Sequence, residues 1–89
     1  MKHAIRPECF RPASEWQQPS PEEVKEILRR INLKGSEAAS LLGLSQGGRQ
    51  IRRWTGGDAL IPYASWAILA DMAGFPRIWV ANESQNFSS

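Results

Sequence analysis

The sequence predicts a compact all-α fold of four to five helices that follows an extended, proline-rich segment. Residues 1–21 contain four prolines, and each proline removes a backbone N–H and restricts the residue before it. After them, apolar residues recur at spacings of three and four, between capping residues and glycines, as in amphipathic helices. The chain of 89 residues is long enough for one domain with a small core.

The first helix is predicted over residues 21–31. Ser20 is suited to be its N-cap, Pro21 to be its first helical residue, and Glu23 to complete a capping box with Ser20. The apolar stripe is formed by Val24, Ile27, Leu28 and Ile31.

Two short helices are predicted next, joined by a turn. Ser36 is expected to cap the second helix, and Gly43 is expected to end it in a left-handed conformation. The predicted buried side of this helix consists of Ala38, Ala39, Leu41 and Leu42. In the third helix, Ile51 and Trp54 are three residues apart and should both face the core.

The last helix is predicted over residues 62–73. Gly56 and Gly57 should end the third helix, and Gly74 should cap the fourth. Its inward stripe is expected to contain Trp66, Leu69, Ala70 and Ala73, with Ile68 or Met72 left to face a partner.

The charge pattern around the third helix favours a polyanionic partner. Residues 38–57 contain no Asp or Glu but include Arg49, Arg52 and Arg53. Carboxylates on such a surface would repel phosphate. With Ile51 and Trp54 inward, a step of 100° per residue places Arg49 and Arg53 on the solvent face.

These positions define the predicted base contacts. Arg49 and Arg53 could each donate two hydrogen bonds to guanine, while Gln50 and Gln46 could read adenine in the same bidentate manner. Arg52 is expected either to contact phosphate or to pair with an acidic residue of a neighbouring helix.

The span from Pro21 to Gly74 resembles the lambda-repressor-like helix-turn-helix family, of the Cro/C1 or XRE type. The matching segments are Glu37-Ala-Ala-Ser-Leu-Leu-Gly-Leu-Ser45, Ile51-Arg-Arg-Trp-Thr-Gly56 and Ile61-Pro62. The resemblance implies DNA backbone contacts near the start of the second helix, at Lys34 and Ser36, and similar contacts at Thr55, Gly56 and Tyr63.

One feature departs from the family pattern. Gln46-Gly47-Gly48 lengthens the interval between the turn serine and the Arg-Trp pair by two residues. Because glycine is a poor helix former, we predict a longer turn and a third helix that starts near Gly48.

The expected organisation is an extended arm over residues 1–19, a DNA-binding domain over 20–80 and a flexible tail over 81–89. Lys2 and Arg6 of the arm are candidates for the minor groove. Trp16 and Trp79 are each expected to cover the core or to contact a second copy.

Several other function classes have little support. A single cysteine, Cys9, excludes an internal disulfide and fits a reducing cytoplasm. No apolar run approaches the roughly 20 residues of a membrane span, and a secretory signal is absent. We find no catalytic constellation, no metal-ligand set and no sign of a cofactor, and we therefore expect a protein that is not an enzyme.

Together these observations predict a sequence-specific regulator of transcription. The expected protein is a repressor, acting on its own gene among others, that binds an inverted-repeat operator in double-stranded DNA as a homodimer. The apolar segments around residues 5–16 and 75–80 are candidates for the dimer contact. The alternative is a helix-turn-helix module that binds a protein partner, such as the antitoxin half of a toxin–antitoxin pair.

Overall fold

The computed structural model describes residues 5–80, and this part of the chain is helical without strands. It forms two short 3-10 helices and then four α-helices, which confirms the predicted all-α fold. The 3-10 helices are Pro7–Phe10 and Ala13–Glu15, and the α-helices are α1 (Pro21–Ile31), α2 (Gly35–Leu41), α3 (Arg49–Gly56) and α4 (Tyr63–Met72).

Helix α1 begins and ends where the sequence predicts. The Ser20 hydroxyl accepts a hydrogen bond from the Glu23 amide at 3.2 Å, and the Glu23 carboxylate accepts one from the Ser20 amide at 2.7 Å. This is the predicted capping box. At the other end, Asn32 adopts the left-handed conformation with φ of 58° and ends the helix.

Helix α2 starts two residues earlier than predicted. Lys34 occupies the N-cap position, and its amide donates to the Glu37 carboxylate at 2.8 Å. Ser36, the predicted N-cap, is therefore the second residue of the helix, and its side chain is exposed. Leu41 was predicted to be buried but is 42% exposed, because Ala38 and Ala39 form the buried side of this short helix.

The turn between α2 and α3 is long, as the extra glycines predict. It spans residues 42–48, and Gly43 and Gly47 both have positive φ, at 74° and 58°. Gly48 lies at the N-cap of α3, so that the helix starts at Arg49. The prediction of a start near Gly48 is confirmed.

The core lies between α1, α3 and α4, and α2 packs against α3. Ile51 and Trp54 of α3 are buried, as predicted. The other buried apolar residues include Val24, Ile27, Leu28, Ala38, Ala39, Ile61, Trp66, Ala67, Leu69, Ala70 and Ile78.

The N-terminal segment from residue 5 onward packs on this same body of helices. Cys9 is fully buried, and its carbonyl oxygen accepts hydrogen bonds from the indoles of both Trp16 (2.9 Å) and Trp66 (2.8 Å). The ring of Phe10 stacks on that of Phe75, with centroids 4.1 Å apart. The segment thus supplies part of the core.

Arg6 joins the segment to the start of α1. Its Nε and one terminal nitrogen each lie 2.9 Å from a carboxylate oxygen of Glu23, and the terminal nitrogen also donates to the Gln18 carbonyl at 2.8 Å. Arg6 is therefore occupied within the fold, which argues against its suggested role in the minor groove. Lys2 and the predicted tail over 81–89 lie outside the described residues.

Candidate nucleic-acid interface

The outer face of α3 carries three exposed arginines, Arg49, Arg52 and Arg53. Their exposure follows from the helical period, because Ile51 and Trp54 point into the core from the opposite side of the helix. Within residues 5–80, none of the three lies in a salt bridge. The pairing of Arg52 with a neighbouring acid, one of the two predicted roles, is thus not formed there.

The buried carboxylates that could have neutralised these arginines are engaged elsewhere. Glu23 is bound by Arg6, while Glu26 accepts from Arg29 at 2.6 Å and from Arg30 at 2.7 Å. The hydrogen bonds from Arg29 and Arg30 lower the pKa of Glu26 to about 2. Neither carboxylate therefore neutralises the positive charge on the outer face of α3.

A cleft of about 440 Å³ lies beside the arginines, between the turn, α3 and the start of α4. Its residues combine apolar walls with hydroxyl, amide and guanidinium groups, which suits the mixed surface of a base edge and its phosphate. Leu44, Ser45 and Gln46 come from the turn, Gln50, Arg53 and Trp54 from α3, and Pro62 and Ser65 from the α4 end.

Three of the four predicted base-contacting residues line this cleft. Gln46 lies in the turn and is exposed, Gln50 is half-buried in the first turn of α3, and Arg53 is one helical turn beyond Arg49. Arg49 is exposed on the same side of the helix as Arg53, because residues four apart share a face. The structure thus brings the four positions onto one surface.

The predicted backbone contacts at the start of α2 lie against the start of α3. A Cβ placed on Gly48 would lie 3.4 Å from the Ser36 amide nitrogen and 3.3 Å from the Gly35 carbonyl carbon. Lys34 and Ser36 are both exposed at this junction. They border the turn that separates the two helices.

Thr55 and Gly56 lie in the last turn of α3. The Thr55 hydroxyl donates to the Arg52 carbonyl at 3.2 Å, which leaves its oxygen free to accept, and Gly56 is exposed. Both remain candidates for phosphate contact by position.

Tyr63 is placed differently from the other predicted contacts. It does not line the cleft; its hydroxyl donates to the Arg11 carbonyl at 3.1 Å, and its ring packs edge-on against Trp16. Burial raises the pKa of Tyr63. Its observed role is to hold the N-terminal segment.

Ser45 and Ser65 line the cleft but were missed as site residues in the sequence. Ser65 could have been found, because it is a polar residue in the first turn of a mostly apolar helix. Trp54 forms a wall of the cleft from the core, and its buried indole nitrogen has no hydrogen-bond partner within residues 5–80. The burial of Trp54 agrees with its prediction as a core residue.

Two other kinds of site were sought in the described part of the chain. Residues 5–80 contain no group of three or more His, Cys, Asp or Glu side chains that could hold a metal ion. No helix within that range is long and apolar enough to cross a membrane.

The fold and this surface define a small all-α protein in which one helix, α3, carries exposed arginines. Within residues 5–80 these arginines form no ion pair. Two proteins of Escherichia coli, both named transcriptional repressor protein KorC, are 57% and 53% identical to this chain over 76 residues. In each case the match covers 84% of this chain and 89% of the relative. No protein-family model and no solved structure matches the chain. The chain belongs to the family of KorC transcriptional repressor proteins.

Proposed function

We propose that this protein is a sequence-specific, double-stranded DNA-binding repressor of transcription. The observation that carries the proposal is the exposed row of Arg49, Arg52 and Arg53 on α3, which forms no ion pair among residues 5–80 and lies inside a stretch of 20 residues without a carboxylate. A duplex is a dense array of phosphates, and uncompensated arginines are the groups that bind it. The repressor relatives support the same role.

In this proposal α2 and α3 form a helix-turn-helix of the lambda-repressor-like, Cro/C1 or XRE type, and α3 enters the major groove. The guanidinium groups of Arg49 and Arg53 donate to O6 and N7 of guanine, and the amides of Gln50 and Gln46 pair with adenine. Each bidentate contact discriminates against a wrong base by about 1–3 kcal/mol.

Contacts to the DNA backbone set the register of α3 in the groove. Arg52 is free to bind phosphate, and Lys34 and Ser36 present a cation and a hydroxyl beside the turn. Thr55 and Gly56 would approach the backbone at the other end of α3. Such contacts position the protein and carry no sequence information of their own.

The protein would bind an inverted repeat as a homodimer and repress by covering promoter DNA, including that of its own gene. Two subunits would place their α3 helices one helical turn apart, about 34–36 Å, or a multiple of that spacing. No cofactor is needed for this mode of action.

The alternative is a module that binds a protein, such as an antitoxin. Its distinguishing mark would be an N-terminal arm and a C-terminal tail that become ordered only on a partner. Residues 5–19 instead pack on the chain's own core through Cys9 and Arg6, which favours the repressor.

The test is fluorescence anisotropy on the DNA upstream of the protein's own gene, with scrambled DNA as competitor, at several salt concentrations. Binding should resist the competitor, and three or four phosphate contacts per subunit should give a log–log salt slope of about −5 to −7 for a dimer. A flat salt response, or binding that scrambled DNA abolishes, would contradict sequence-specific repression.

A further inference from the structure

The outward side of α4 faces solvent and is mostly apolar, with the exposed Asp71 as its one charged residue. Ile68 is 42% exposed and Met72 is 52% exposed, and Ala64 lies on the same stripe because residues four apart share a face. Trp79, from the segment after α4, is 48% exposed. We call this surface, defined by Ala64, Ala67, Ile68, Met72 and Trp79, the α4 face.

The α4 face contains a groove of about 320 Å³ that is lined by apolar side chains and by Tyr63. The Tyr63 hydroxyl already donates to the Arg11 carbonyl, so the groove offers little to a polar ligand. The opposite side of α4 is buried through Trp66, Leu69 and Ala70. Apolar residues therefore lie on both the buried and the outward side of α4, with Ser65 and Asp71 as its polar interruptions, and such extended apolar surface on a helix is normally covered.

We propose that a second copy of this chain covers the α4 face and that the operator-binding dimer forms there. The inference rests on the proposed function, which requires two α3 helices on one side of a symmetric dimer. It names the surface that brings them together.

The position of the α4 face fits that requirement. Pro62 and Ser65 line the arginine-bearing cleft, while Tyr63 and Ala64, their neighbours in the first turn of α4, line the apolar groove. The two surfaces are therefore adjacent, and a two-fold axis beside α4 leaves both clefts open. The described body measures 38 × 32 × 22 Å, so that half-sites spaced by about 34 Å leave room for two bodies side by side.

The chain's own C-terminal residues are poorly suited to cover this surface. Residues 81–89 contain only Ala81 and Phe87 as apolar residues among nine. They offer one large apolar side chain, Phe87, whereas the face exposes Ile68, Met72 and Trp79. A second α4 face provides the same apolar groups in a self-complementary arrangement, as a two-fold interface needs.

The first experiment measures the mass of the full chain in the absence of DNA over a wide range of concentration, by light scattering and sedimentation. The mass should rise to that of two chains. Ile68→Asp should raise the dimer dissociation constant about 30-fold or more, as loss of an interface anchor does. Leu60→Asp is the matched control, because Leu60 is 74% exposed outside the α4 face, and it should leave dimerisation unchanged.

A second variant keeps the test decisive if Ile68→Asp fails to fold. Ile68→Cys makes a smaller, apolar change, and the native Cys9 is buried and so does not compete for a thiol reagent. The rate at which a maleimide labels Ile68→Cys should fall as protein concentration rises, whereas labelling of Leu60→Cys should not.

Each result decides the inference independently of DNA binding. A wild-type chain that stays monomeric, or an Ile68→Cys whose labelling ignores concentration, would overturn the α4 face as the dimer surface. Either result would arise if residues 81–89 or an unlike protein covered the face. A dimer that depends on Ile68 but fails to bind operator DNA would support the α4 face as the dimer surface and would refute the proposed repressor function.

Discussion

The carboxylate of Glu23 binds Arg6, 17 residues earlier in the chain, while it caps the N-terminus of α1. Its two oxygens lie 2.9 Å from the guanidinium nitrogens of Arg6, and one of them also accepts from the Ser20 amide at 2.7 Å. One side chain therefore starts the first α-helix and anchors the segment that precedes it.

Replacing Glu23 by glutamine should destabilise the fold. The neutral amide can retain a hydrogen bond to the Ser20 amide but loses the charged contact to Arg6, and a hydrogen bond to a charged group contributes about 1.5–3 kcal/mol. We expect urea unfolding to show a loss of about 2 kcal/mol in the free energy of unfolding. Glu22→Gln, at the exposed neighbouring position, is the control and should change stability by less than about 0.5 kcal/mol. Equal losses in the two variants would refute the role assigned to Glu23.

Stability should decrease in acid because two carboxylates are more acidic in the folded state. Burial tends to raise the pKa of Glu23, but hydrogen bonds from Arg6 and Ser20 outweigh it and lower the pKa to about 2. Arg29 and Arg30 lower that of Glu26 to a similar value. As pH falls, the unfolded chain therefore takes up protons first, and stability present above about pH 5 is lost progressively towards pH 2.

Urea unfolding at several pH values measures this dependence. The double variant Glu23→Gln, Glu26→Gln should show a flatter profile than the wild type between about pH 5 and pH 2. A variant profile as steep as that of the wild type would mean that other groups control acid unfolding.

Cys9 should be unreactive in the native protein. Burial raises the pKa of its thiol to about 11, so that only about one thiol in a thousand is ionised at pH 8, and the side chain is fully buried. Ellman's reagent should therefore modify Cys9 only after unfolding, while an exposed Leu60→Cys reacts at once. Glu23→Gln should accelerate labelling of Cys9, because it loosens the segment that covers the thiol. Rapid labelling of the native wild type would contradict the burial of this segment.

Gly48 should be required by the close approach of α2 and α3. A methyl group there would press on the Gly35 carbonyl carbon at 3.3 Å and on Ser36, whereas one on Gly35 would meet nothing nearer than 3.7 Å. Gly48→Ala should therefore cost about 1 kcal/mol of stability, measured by thermal or urea unfolding. Gly35→Ala, across the same junction, should leave stability unchanged. A larger loss of stability for Gly35→Ala than for Gly48→Ala would show that the backbone at this junction adjusts to the added methyl group.

Loss of a single arginine from α3 should weaken operator binding without unfolding the protein. Arg49→Ala and Arg53→Ala should each reduce specific affinity about 5- to 150-fold, which corresponds to about 1–3 kcal/mol. The exposed Lys25 on α1 provides a control for charge, and Lys25→Ala should leave specific binding nearly unchanged. Anisotropy at fixed salt measures the affinity, and thermal unfolding identifies any variant in which the arginine is structural instead.

The predictable parts of the fold are those controlled by local chemistry. Ser20, Pro21 and Glu23 predict the start of α1, and glycines predict the ends of α2 and α3. The predicted N-cap of α2 was wrong by two residues, because Lys34 occupies that position and its backbone amide donates a hydrogen bond to the Glu37 carboxylate. A lysine carries no capping signal in its side chain, so the sequence favours Ser36.

Contacts between distant parts of the chain could not be predicted. The pairs Arg6–Glu23 and Tyr63–Arg11 join residues 17 and 52 positions apart, and no periodicity encodes them. For the candidate site, the helical period places Arg49 and Arg53 outward, but it does not reveal that Tyr63 faces away from the cleft. Their contacts with DNA stay predictions.

The shared carbonyl of Cys9 has a consequence for how the chain opens. That one oxygen accepts from two indoles, Trp16 within the N-terminal segment and Trp66 in α4, so lifting the segment away from the helices removes the buried partner of the Trp66 N–H group. Amide exchange and proteolysis should therefore treat residues 5–19 and the helices as one cooperative unit, and shortening the chain to its helical part would remove a wall of its core.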